Sequence, residues 1–242
     1  MWPKLTRFYS PNFSVPKRAK KNIKFIILHY TGMSNEKLAI KKLCDFNSKV
    51  SAHYFIKKNG NILNLVPDLY EAWHAGVSSW KRLTSINKYS IGIEIQNSGH
   101  NFNYENFSLR QINSLKKLLK NLIKIYKINY KNILGHSDIA PNRKKDPGEK
   151  FPWEKLSKEK LALWYNLNRK ELKKSRLIKL RLKEKKFFLN NLYKLGYCKI
   201  KKSKQNYNDR SLINAFQRRF RQNLVNGIVD KECLIISKNL LE

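Results

Sequence analysis

The sequence predicts an α/β (α+β) fold: a mixed central β-sheet flanked by helices, followed by a small C-terminal three-helix domain. Three observations predict it. Short apolar runs rich in β-branched residues alternate with segments of helical periodicity through the first two thirds of the chain. Two of those runs are joined by the turn sequence KKNGN at 57–61, which reads as a hairpin. Beyond residue 167 strand signals cease and a charged, helical pattern takes over.

The first strand is 23-IKFIILHY-30, and helical periodicity follows near 34–46. The hairpin strands are 53-HYFI-56 and 61-NILNLV-66, and a further strand is 91-IGIEIQ-96. The clearest helix is 108–126, where Leu109, Ile112, Leu115, Leu119, Leu122 and Tyr126 recur at three- and four-residue steps. Ser108 followed by Gln111 is a capping-box start for it. The last strand, 132-NILGH-136, runs into 135-GHSDIAPNRKKDPGEKFPW-153, a segment too polar and broken for a strand or a helix. The first domain is expected over 1–167 and a charged helical linker over 168–186. Three amphipathic helices, 187–197, 209–222 and 231–242, form the domain 187–242; Leu212, Phe216 and Phe220 share one face of the second. A unit of that size is near the lower limit for independent stability.

Hydrophobic residues are 41% and aromatics 12%, enough for a packed core and against a disordered chain. No apolar run is long enough to span a membrane. The N-terminal residues lack the apolar region of a secretory signal and any cysteine for lipidation, so a cytoplasmic protein is expected, with the periplasm as the alternative. Cys44, Cys198 and Cys233 are odd in number and far apart, which reads as reduced, structural thiols. The net charge is +34. Attraction to a polyanion is one reading. The other is compositional: Lys, Asn and Ile are abundant together, as in an AT-rich coding sequence, and the basic residues are dispersed like solvated faces. No nucleic-acid-binding motif accompanies the charge, so no specific nucleic-acid partner is expected. The oligomeric state is not legible.

The polar segment 135–153 raises a chemical question. A catalytic zinc site takes three His or carboxylate ligands and keeps a fourth position for water. His136 ends a strand, and Asp146 follows a loop, interrupted by Pro, that can fold back to it. His29, at the end of the apolar run FIIL, is the best candidate for a third ligand. By spacing alone His29, His53, His74, His100 and His136 each read as a satisfied core or surface residue sooner than as a ligand.

Five segments together carry a resemblance. 26-IILHYTG-32, 51-SAHYFI-56, 71-EAWHAG-76, 91-IGIEIQN-97 and 135–153 resemble, in order and approximate spacing, the zinc-dependent N-acetylmuramoyl-L-alanine amidases of the AmiD/AmpD type. The match covers residues of about 5 to 167. It implies one zinc ion (Zn2+) held by His29, His136 and Asp146. It implies Glu94 as general base, Lys144 as the residue that stabilises the transition state, and His74 and Trp73 as lining of the substrate cleft. His53 falls outside the ligand set, and His100 belongs to no motif and reads as surface. The implied substrates are peptidoglycan fragments or muropeptides.

Physical chemistry agrees with these roles. Zinc activates water and polarises a carbonyl, and Glu94 can pass a proton from the water to the leaving nitrogen. A carboxylate among Ile91, Ile93 and Ile95 has either this use or simple exposure on the polar face of the strand. Lys144 can stabilise a developing oxyanion, but charge alone does not separate it from Arg143 and Lys145. Residues 214–233 are similar to the small helical peptidoglycan-binding module often attached to such amidases, with Asn226 where those modules usually carry Asp. Wall binding and a packing accessory are both open for this part. For the whole chain the alternative to an amidase is a non-catalytic muropeptide-recognition protein on the same fold.

Overall fold

A computed structural model describes residues 5–199 and 209–242; residues 200–208 of the expected C-terminal domain lie outside the described residues. Its centre is a six-stranded sheet built from β1 (Leu5–Arg7), β2 (Phe25–Tyr30), β3 (Tyr54–Ile56), β4 (Ile62–Asn64), β5 (Ser90–Ile95) and β6 (Ile133–Gly135). The strand order is β1–β4–β3–β5–β2–β6. β3 and β4 pair antiparallel and every other neighbour is parallel, so the sheet is mixed as expected. The hairpin between them is closed by Lys57 N–H donating to Asn61 O at 2.9 Å, with Gly60 at φ +89° supplying a backbone conformation that L side chains rarely adopt. β1 has no counterpart in the expected strands.

The central strands β2 and β5 are parallel-paired and read as near-continuous apolar runs because helices cover both of their faces. On one face Ile26, Leu28, Ile91, Ile93 and Ile95 pack with Ile112, Leu115, Leu118, Leu119 and Leu122 of α2 (Leu109–Tyr126). The expected capping box starts this helix: Ser108 Oγ accepts from Gln111 N–H at 3.2 Å, and Gln111 Oε1 accepts from Ser108 N–H at 3.0 Å. On the other face α1 (Glu36–Cys44) lays Ala39 and Leu43 over Phe55, Leu63 and Leu65. Beside it Phe25, Ile27 and Leu134 join a core supplied largely by the C-terminal helices.

The segment 135–153 is more regular than its polarity suggests. His136 does not end a strand; it opens the single helical turn α3 (His136–Ile139), and Trp153 starts α4 (Trp153–Ser157). The reason is local: Asp138 Oδ2 accepts from Gly135 N–H at 2.8 Å, capping the turn from inside. Residues 168–186 carry α5 (Arg169–Lys174), an isolated bridge between Lys179 and Asp230, and the start of α6 (Leu182–Leu195). α7 (Asp209–Phe220) and α8 (Lys231–Asn239) follow, and Leu212, Phe216 and Phe220 are all buried. Asn226 turns inward, its side-chain oxygen accepting from Gln217 Nε2, Arg221 Nη2 and Ile228 N–H. The three cysteines are free.

Candidate metal centre and cleft

Strand register brings the reactive side chains together. In the parallel pair β2–β5, His29 is the direct partner of Glu94, on the face that also carries Ser90 and Gly92. β6 pairs Gly135 with Leu28, so His136 emerges one residue later at the same end of the sheet. The loop after α3 returns to that end, where Ser137 N–H donates to Asp146 O at 2.9 Å. The result is a triangle of donor atoms. His29 Nδ1 and His136 Nδ1 are 2.9 Å apart, and each is 3.0 Å from Asp146 Oδ2. All three residues are buried.

The hydrogen-bond network assigns the tautomers. Ser90 Oγ donates to Ile86 O at 2.7 Å, so it accepts from His74 Nε2–H at 3.2 Å. His74 Nδ1 is therefore an acceptor, and takes the Nε2–H of His29 at 3.1 Å. His136 Nε2–H donates to Ala75 O at 3.1 Å. Each of the two ligand candidates is thereby left with its Nδ1 lone pair pointing at the other and at Asp146. Two lone pairs and a carboxylate oxygen converging within 3.0 Å repel one another unless a cation sits among them, so the three residues fit a metal ion. Burial first, then His136, lowers the His29 pKa to about 4, which keeps it neutral at pH 7. Two imidazole nitrogens with free lone pairs and one carboxylate oxygen form a donor set that suits catalytic zinc.

The triangle forms the floor of a cleft of about 390 Å³ whose lining includes Lys42, Trp73, Glu94 and Lys144. Glu94 does not lie on a solvent face. Its Oε2 is buried without a hydrogen-bond partner among the described residues, and burial first, then Asp146, pushes its pKa well above the ordinary carboxylate value. The charges of Lys144 and Lys42 act in the opposite direction. The structure also separates the three basic neighbours. Arg143 donates to Ala75 O at 2.9 Å and Val77 O at 2.6 Å, Lys145 is exposed, and Lys144 is half-buried with no ion pair to a described residue. Trp73 is half-buried, its indole N–H donating to Ser14 Oγ at 2.8 Å. His74 stands behind His29, 8% exposed, with both ring nitrogens engaged.

One residue stands elsewhere than its sequence suggested, and one joins the cleft unannounced. His100 is not a plain surface residue: it lines the cleft, half-buried, accepts from Tyr30 O–H at 2.8 Å and donates to Glu149 Oε2 at 3.1 Å. Lys42, from α1, reaches the same cleft across 102 residues of chain separation from Lys144, counted by their numbers, and no local pattern marks it. His53 is buried, with Nδ1 accepting from Gly92 N–H at 3.0 Å and Nε2 donating to Tyr70 O at 3.0 Å, so it has no lone pair for an ion.

A mixed sheet carrying two imidazole lone pairs and a carboxylate in one triangle, beside a buried carboxylate, has the chemistry of a metal-assisted hydrolase. The profile of the N-acetylmuramoyl-L-alanine amidases matches residues 19–149, and the chain belongs to this family. It is an amidase, a hydrolase of amide bonds. It is 34% identical over 236 residues to the N-acetylmuramoyl-L-alanine amidase AmiD of Escherichia coli (strain K12), covering 93% of this chain and 84% of that one. It is 34% identical over 165 residues to the 1,6-anhydro-N-acetylmuramyl-L-alanine amidase AmpD of Haemophilus influenzae, covering 60% of this chain and 86% of that one. The structure of the E. coli AmiD complex with anhydro-N-acetylmuramic acid-L-Ala-D-gamma-Glu-L-Lys superposes with a TM-score of 0.80 at 32% identity, covering 94% of this chain and 92% of that one. The expected fold and family are both borne out.

Proposed function

We propose that this chain binds one zinc ion through His29 Nδ1, His136 Nδ1 and Asp146 Oδ2, and hydrolyses the amide between the lactyl group of N-acetylmuramic acid, or its 1,6-anhydro form, and L-alanine of the stem peptide. Zinc held there supplies Lewis acidity and lowers the pKa of water from about 15.7 toward about 7. The chain's own residues do the rest. Glu94, one strand over from His29, takes the proton of the attacking water on its unpartnered oxygen and returns it to the departing nitrogen. Its raised pKa favours its holding the proton between the two halves of that transfer. Lys144, half-buried and without an ion pair among the described residues, presents its ammonium to the oxygen that turns negative as the carbonyl becomes tetrahedral. Trp73 offers an aromatic edge to the substrate, and Lys42, Lys144 and Lys145 around the cleft favour one rich in carboxylates.

The observation that carries this reading is the donor triangle with Glu94 in register beside it. A non-catalytic recognition protein has no use for an unpartnered buried carboxylate at that position. Mass spectrometry of products from soluble anhydro-muropeptides and from intact wall, side by side, tests the proposal. A free peptide beginning with L-alanine, formed only without chelator, is expected. Binding without cleavage, or cleavage of another bond, contradicts it.

A further inference from the structure

The C-terminal helices reach the turn that carries His136. Asp138, 1% exposed, lies two residues after that histidine, and three donors converge on its carboxylate. Tyr197 O–H donates to Oδ1 at 2.6 Å, Arg219 Nη1 to Oδ2 at 2.5 Å and Gly135 N–H to Oδ2 at 2.8 Å. The other terminal nitrogen of Arg219, Nη2, donates to Ile133 O at 2.9 Å. A single guanidinium from α7 therefore ties both the β6 backbone and the α3 carboxylate, with Gly135 and His136 between the two ties. Trp153 completes the clamp. The Arg219 guanidinium lies 4.4 Å from its ring centroid, and a Cβ on Gly135 would come 3.3 Å from its Cζ2.

A buried Arg–carboxylate pair is weak evidence of a contribution to stability, because a well-packed apolar replacement is often as stable; its better-attested use is to fix one register of the groups it joins. Here the register fixed is that of a histidine whose Nδ1 must stay within about 3 Å of two other donors. Arg219 comes from the segment 214–233, whose sequence resembles a wall-binding module, and Tyr197 from the same expected domain, 187–242, yet both side chains are spent inward. Gln222 Nε2 likewise donates to Phe151 O at 2.6 Å.

We propose that Arg219 is a positioning residue for His136, acting through Asp138 and Ile133, and that Tyr197 assists it. On this view the C-terminal helices are part of the scaffold of the metal centre and not a separable binding arm. The proposal rests on the reading of His136 as a metal ligand.

The test is zinc affinity of the full-length chain, measured by competition with a chromophoric chelator, for the native protein and for Arg219→Met, Arg219→Lys, Tyr197→Phe and His136→Ala, with circular dichroism as the check on folding. Arg219→Met is expected to bind zinc roughly 10-fold more weakly, the lower end of what loss of an outer partner costs a ligand. Its kcat should fall while KM holds, and Arg219→Lys should recover part of both. Tyr197→Phe removes one hydroxyl and stays folded; a smaller loss of zinc affinity is expected, and this variant decides the matter if Arg219→Met does not fold. Native zinc affinity in folded Arg219→Met, or in Tyr197→Phe where that variant must stand in, overturns the proposal alone. Failure of the native protein to bind zinc, or of His136→Ala to weaken it, overturns the metal reading and this proposal with it.

Discussion

Replacing Glu94 by glutamine separates catalysis from stability at one atom. The side chain keeps its shape, but its buried end, whose Oε2 lacks a partner among the described residues, no longer carries charge beside Asp146. Loss of a general base costs about 10²- to 10⁴-fold in rate. The same change should stabilise the metal-free protein, because an unsatisfied buried polar group costs about 1–3 kcal/mol and more when charged. Taking about 1–2 kcal/mol for the charge and roughly 2–4 °C per kcal/mol for a chain of this size, Tm should rise by several degrees. The sign with pH follows from the raised carboxyl. Between its unfolded value of about 4.3 and its higher folded value the native state binds more protons, so native stability falls as pH rises through that window. The advantage of Glu94→Gln should therefore be small near pH 4 and grow toward pH 8. Thermal melts of chelator-treated protein, paired with turnover of an anhydro-muropeptide, measure both. A variant with native kcat, or one less stable than the native protein at pH 8, refutes the argument.

Other predictions follow from the same contacts. Gly92→Ala sets a Cβ into the His74 ring, so it should destabilise the fold by about 1–3 kcal/mol in chemical denaturation and weaken zinc binding through the displaced His29 partner. Lys144→Ala should lower kcat by about 10²- to 10³-fold with little change in KM, the cost of a lost oxyanion donor. Lys117→Ala, on the exposed side of α2, should leave steady-state kinetics as they are. Removal of the metal by chelator should lower Tm, and the drop should shrink as free zinc is restored, since a ligand of the native state stabilises by mass action.

Local pattern made much of this legible. Ile91, Ile93 and Ile95 alternate with Ser90, Gly92 and Glu94, and the two sets do face α2 and the site respectively. Ser108 and Gln111 announced the start of α2, and KKNGN the β3–β4 hairpin. The donor set itself came from resemblance, since no spacing rule joins His29 to His136 across 107 positions. What stayed hidden depends on contacts between distant segments. The place of His74 behind His29 follows from Gly92 leaving room for an imidazole, and only the packed structure shows whose ring fills it. His100 reaches the cleft through Tyr30 and Glu149, and Arg219 meets Asp138 across 81 positions. Reading α3 as irregular missed that Asp138 caps its own turn, a bond that competes well with the polarity of its neighbours.

The most direct test of the account is the zinc content of the purified chain by elemental analysis after zinc repletion and removal of unbound metal. One zinc per chain is predicted for the native protein, with none retained by His136→Ala or by Asp146→Asn while both variants remain folded. A native protein that holds no zinc, or variants that hold as much as the native chain, would contradict it.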